Sequence, residues 1–108
     1  MPWQNYSNDF IRKAAEIVVE TVTHYGNLGY SRPSAIEQAA LALEITPRRV
    51  KSLWYEPDVI AVRRAEYEHL RVRYTAHLEA KADELAQRSR EARERARVFR
   101  QQEELGVG

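Results

Sequence analysis

Residues 34–55 read SAIEQAALALEITPRRVKSLWY, and this stretch decides the fold. Ser34, with Glu37 three positions on, has the Ser-x-x-Glu form of a helix-capping box, in which each side chain bonds a free amide of the first turn. Ile36, Ala39, Ala40 and Leu43 then fall on one face at helical spacing. Glu44-Ile45 makes the turn. Thr46 is suited to cap a second helix and Pro47 to open it, because the first helical position needs no amide hydrogen. Val50, Leu53 and Trp54 form the apolar back of that helix and leave Arg48, Lys51, Ser52 and Tyr55 facing outward. The pattern predicts two short helices joined by a tight turn.

On those residues the stretch resembles the helix-turn-helix of DNA-binding proteins of the phage repressor and small bacterial regulator type. Ala40 stands four residues before the turn, where that family packs its two helices closely. Leu43 and Ile45 flank the turn as the motif's paired apolar residues, and Val50 and Leu53 match its buried recognition-helix positions. The turn carries Glu44 where the family usually has Gly, and a non-Gly residue held left-handed costs roughly 1 kcal/mol. The likeness covers about a fifth of the chain. It implies double-stranded DNA as partner, transcription regulation as role, and a homodimer, since two half-sites multiply the reach of one short helix. Small terminase subunits of phages are similar in plan, with an N-terminal helix-turn-helix and a helical oligomerisation region. That resemblance implies DNA packaging and a larger homo-oligomer.

The charge pattern points the same way without the resemblance. From Thr46 to Tyr55 there are three cations, Arg48, Arg49 and Lys51, and no acid. An exposed helix bearing cations, hydroxyls and a Tyr can lie in a major groove and bond phosphates and base edges. Thr46, Arg48, Lys51, Ser52 and Tyr55 are expected to face the groove, with Arg49 and Arg32 on phosphates. The plainer reading is a solvated basic face on a small helical bundle.

Composition sets the outer limits. At 108 residues the chain holds one small domain, or a domain plus an extended element. Charged residues make up 31%, much of them in the C-terminal half, so the core must come mainly from the first 60 or so residues. Net charge is +1, which excludes a general polycation. Cysteine is absent, which excludes disulfides, thiolate metal sites and a Cys nucleophile. MPWQNYSNDF has no basic region followed by an apolar core, and no apolar run approaches the roughly 18 residues that span a bilayer. A cytoplasmic protein without membrane contact is expected.

Upstream of the motif, Ser7 or Asn8 can cap a first helix running to about Tyr25, after a lead-in at 1–6. Its apolar face is Phe10, Ala14, Ile17, Val18, Thr21, Val22 and Tyr25. The β-branched run IVVETVT would also suit a strand, but its apolar positions do not alternate, which favours helix. His24 falls in the last turn, where a cation meets the negative dipole end. Residues 26–33, GNLGYSRP, are the clearest loop, so Arg32 is either a phosphate contact before the capped helix or an ordinary solvated Arg.

Downstream, Pro57 and Asp58 have the form of a helix start, and no Gly or Pro follows until the chain's last residues. One long charged helix to about Glu104 is expected. Ile60, Val62, Ala65, Tyr67, Leu70 and Tyr74 can pack on the N-terminal helices. From Leu78 a four-three spacing runs through Ala82, Leu85, Ser89, Ala92, Ala96 and Phe99, a thin coiled-coil seam. The steps from Leu70 to Tyr74 to Leu78 are four and four, a phase shift. Glu84 with Arg88, and Glu91 with Arg95, stand at i,i+4 and support a solvated helix. Residues 86–100 hold six Arg against Glu91 and Glu94.

Glu66-x-x-His69 has the spacing of a carboxylate-bridged di-metal helix, but that chemistry needs the motif twice. The pair is therefore expected on a wet helix face. Trp54 is expected in the core, wedging the second motif helix against the long helix, with stacking on a nucleotide as the alternative. Tyr55 can reach a phosphate through its hydroxyl. No Ser-His-acid set or Gly-rich phosphate loop can be assembled, so no enzyme and no cofactor are expected. The expected architecture is all-α: a helical domain at 1–75 with the helix-turn-helix at 34–55, then 76–108 as a self-association segment. A protein-interaction module, with the first domain as scaffold, is the rival from another class.

Overall fold

The computed structural model describes residues 8–57 and 61–106. The chain is all-α, with helices α1 (Asn8–Asn27), α2 (Arg32–Leu43), α3 (Pro47–Tyr55) and α4 (Arg64–Glu104). It divides into two units, Met1–His77 and Leu78–Gly108. The aromatic lead-in, the Ser7 cap, Asp58 and Ile60 lie outside the described residues.

The first unit is built on the three packed helices α1, α2 and α3. Ala14, Ile17, Val18 and Val22 of α1 are buried with Ala35, Ile36, Ala39, Ala40 and Leu43 of α2 and Val50 and Leu53 of α3. Phe10, Tyr25, Tyr67 and Tyr74 pack partly buried against this cluster. Thr21 is buried too, and its Oγ1 donates to the Ile17 carbonyl at 2.7 Å, so the hydroxyl enters the core satisfied. The β-branched run of α1 is helical because these positions line one face: removing them from water outweighs a weak propensity.

Helix α2 begins earlier than the Ser34 capping box predicts. Ser31 is the cap, its Oγ accepting the Ser34 amide at 3.4 Å, and Arg32 is the first helical residue. Pro33 explains the shift, because its fixed φ already suits the first turn.

Helix α4 begins at Arg64, seven residues after the expected start at Pro57. Helix α3 ends with the Glu56 amide donating to the Ser52 carbonyl at 2.9 Å. In the connector that follows, Val62 is completely buried and the Ala61 carbonyl accepts a bond from Arg49. Burying Val62 in the core keeps it out of α4. From Arg64 the helix continues through the phase shift near Tyr74 without a break. Val62, Tyr67, Leu70 and Tyr74 meet the core as the pattern predicts, whereas Ala65 is exposed.

In the second unit the described helical residues are exposed, apart from the half-buried Lys81. Leu78, Leu85 and Phe99 of the seam are 42%, 62% and 62% exposed, so nothing within this unit covers them. Arg88 donates to Glu84 at 2.6 Å and Arg97 to Glu94 at 2.5 Å, while Glu91 accepts from Gln87. Among the described residues no helix is long and apolar enough to cross a membrane.

Candidate nucleic-acid interface

The turn between α2 and α3 sets the direction of the outward helix. Glu44 adopts φ 54°, ψ 47°, the left-handed conformation, despite its side chain. Its amide donates to the Leu41 carbonyl at 3.3 Å, and the Ile45 amide to that of Ala40 at 3.1 Å. Those two bonds close the end of α2 as a Schellman motif. Ile45 packs against the core, and Thr46 then caps α3, its Oγ1 accepting the Arg49 amide at 3.1 Å. Ala40 is nearly sealed, as close packing of α2 and α3 requires.

With Val50 and Leu53 buried, the opposite side of α3 carries Arg48, Lys51 and Tyr55. All three are exposed, Tyr55 at 58%. Among the described residues no carboxylate lies within ion-pair distance of Arg48 or Lys51. Ser52 is half-buried, and its Oγ donates to the Arg48 carbonyl at 3.1 Å, which leaves its lone pairs outward. Thr46 is exposed beside them.

Arg49 corrects the sequence reading. Its side chain is turned to the protein, where Nε donates to Glu66 Oε2 at 2.6 Å and Nη2 to Glu66 Oε1 at 2.7 Å. Nη2 also donates to the Ala61 carbonyl at 2.7 Å. The hydrogen bonds to Glu66 hold the guanidinium pKa above its ordinary value, against a smaller opposing effect of burial. A cation so neutralised offers little to a phosphate.

Glu66, half-buried, departs from the wet face expected of it, and His69, though exposed, bonds the end of α2. His69 Nε2 lies 2.9 Å from the Leu43 carbonyl and 3.1 Å from that of Glu44. Carbonyls only accept, so Nε2 carries the proton and is shared between them. It satisfies the carbonyl end of α2, where the helix dipole favours a donor. One turn on, Arg73 Nε stands 3.3 Å from the Glu44 carboxylate. Residues 66, 69 and 73 thus form one stripe of α4 that grips α3, the turn and the end of α2. The i,i+3 spacing was visible in sequence, but its partners lie 17 and 26 positions away. Among the described residues no cluster suited to a metal is present.

Trp54 also differs from expectation, and it contacts Arg32. The Arg32 guanidinium lies 4.6 Å from the centre of the Trp54 ring, a cation–π contact. Trp54 is half-buried and shares a cleft with Val22, Tyr30, Arg32 and Ala35, toward α1 and the start of α2 rather than the long helix. One turn beyond Val50, it falls on that side of α3. The stacking orients Arg32 while its charge stays exposed.

No protein-family model, curated protein or solved structure matches the chain.

Proposed function

We propose that this chain binds double-stranded DNA through α3, acting as a dimeric transcriptional regulator. The observation that carries the proposal is the division of labour among the α3 cations. Arg49 is neutralised by Glu66, while Arg48 and Lys51 stand exposed without a carboxylate partner among the described residues. The two cations share an acid-free face with Ser52 and Tyr55, the residue types that bond phosphates and base edges. At 9 residues, α3 is about 13 Å long, enough to present one face to a few successive base pairs.

In this reading Arg48, Lys51, Ser52 and Tyr55 meet the groove, and Thr46 sits at the entering end of α3. Arg32, stiffened by Trp54, contacts a phosphate at the start of α2. The affinity is electrostatic in its sequence-independent part and falls steeply with salt.

The test is binding of the purified chain to random-sequence duplex DNA across a salt series. Salt-sensitive binding that weakens in Arg48→Ala/Lys51→Ala supports the assignment. Absence of binding at low salt refutes it and leaves a helical interaction module. A ring-sized oligomer that binds DNA would favour the packaging role over regulation.

A further inference from the structure

We propose that residues 79–102 of α4 pair antiparallel with the same segment of a second copy of this chain. The pairing is independent of DNA binding, and its test contains no DNA.

The seam has two kinds of layer. Leu85, Ala92 and Phe99 occupy one heptad position, and Ala82, Ser89 and Ala96 the other. In a parallel pair each residue meets itself. Phe99 would face Phe99 and Leu85 would face Leu85, while Ala and Ser faced their own copies between them. The wide and narrow layers then ask for different distances between the same two axes.

In an antiparallel pair the two kinds of layer face each other. With residue numbers summing to 181, Phe99 meets Ala82, Leu85 meets Ala96, and Ser89 meets Ala92. Each large residue finds a small one, so the layers interdigitate at a nearly constant, close separation. Leu85 and Phe99, each 62% exposed in the single chain, are the side chains this covers.

The flanking charges choose the same direction. A parallel pair sets Arg88 against Arg93 and Arg95 against Arg100, on both sides of the seam. The antiparallel pair sets Glu79 against Arg100 at both ends of one side of the seam, and on the other side brings Arg88 near Arg95 twice, half as many Arg-Arg approaches as the parallel pair. Arg88 already donates to Glu84 of its own helix at 2.6 Å, which blunts that repulsion. Like charges at these rim positions set partner orientation.

The chain has no cysteine, so single replacements report the register directly. Leu85→Cys and Ala96→Cys are purified as full chains, one carrying a mass tag, mixed reduced, and oxidised. Disulfides need Cα atoms within about 7 Å. In the antiparallel register, residue 85 lies beside residue 96 of the other copy and 11 positions, roughly 16 Å, from its own counterpart. Cross-linking between the two variants, with little within either alone, is the expected result. Self-cross-linking of Leu85→Cys as efficient as the mixed product would overturn the direction. A chain that sediments as a monomer at about 100 µM, far above a useful dimer Kd, would overturn the pairing itself.

A charge reversal gives a second readout. Glu79→Arg should weaken the dimer about tenfold, and Arg100→Glu added to it should restore the affinity. An unchanged dimer in Glu79→Arg would also refute this register, because a parallel pair places no cation opposite residue 79.

Discussion

Arg49 of α3 holds the carboxylate of Glu66 at two points, at 2.6 and 2.7 Å, and with the same Nη2 reaches the Ala61 carbonyl. One side chain thus ties the outward helix to the connector and to the first turn of α4. Both partners are about a quarter exposed, so the pair is partly shielded from water. Removing either leaves a half-buried charge uncompensated. Arg49→Ala and Glu66→Ala should each cost roughly 1–3 kcal/mol, with a coupling of about 1 kcal/mol in the double-mutant cycle. Urea unfolding of the four chains measures it. Strict additivity would show that the two groups do not act together.

Arg48 and Lys51 should behave in the opposite way. Neither is used by the fold, so Arg48→Ala/Lys51→Ala should keep its unfolding midpoint, with stability within about 0.5 kcal/mol of the parent. Its DNA affinity should fall, and the slope of log K against log salt should drop by about 2, one for each phosphate that is no longer neutralised. Arg49→Ala, corrected for its lower stability, should leave that slope unchanged.

Glu44 holds a conformation that glycine adopts freely, and its exposed carboxylate stands 3.3 Å from Nε of the half-buried Arg73. Glu44→Gly relieves roughly 1 kcal/mol of backbone cost and gives up a surface ion pair worth a few tenths. Glycine's greater freedom in the unfolded chain offsets part of the gain. A net stabilisation of about 0.5 kcal/mol is expected, read as a rise in Tm. A loss of stability would assign the Arg73 contact a larger role than its exposure suggests.

Tyr74 gives the chain an alkaline limit. Its hydroxyl donates to the Glu20 carboxylate across the α1–α4 contact. Burial, and then this bond, push the phenol pKa up from 10.0 to about 12. The folded chain therefore keeps a proton that the unfolded chain releases, so stability decreases as pH rises between those values. The contribution is complete below pH 10 and disappears above pH 12. Tyr74→Phe should show a shallower decline over this window in unfolding experiments at fixed pH. A decline as steep as the parent's would assign it to other groups.

How much of this was legible in the sequence depended on the range of the interaction. The face of α1 could be read from Phe10 to Tyr25 because helical spacing is local, and the turn at Glu44 because α2 and α3 are adjacent in the chain. Thr46-Pro47 announced the start of α3 for the same reason. The start of α4 at Arg64 could not be read, since Val62 is drawn out of a helix by a core assembled elsewhere in the chain. The outward direction expected of Arg49 failed on a partner 17 residues away. Glu66 and His69 stood out at their i,i+3 spacing, yet nothing local says that one will bind an Arg of α3 and the other two carbonyls at the end of α2. Trp54 was recognisable as an inward residue, but its contact with Arg32 depends on how α2 and α3 cross.

The grip of Glu66, His69 and Arg73 on the motif has a consequence for inheritance. Glu44 with Arg73 and Arg49 with Glu66 form two pairs in which each side chain acquires its value from the other, while His69 binds only main-chain carbonyls. A lineage that replaced Glu44 with glycine would release Arg73 to vary, and one that lost Glu66 would place Arg49 under pressure to become apolar. In descendants of this sequence the two members of each pair should change together, while Arg48 and Lys51, with no carboxylate partner among the described residues, vary independently of them.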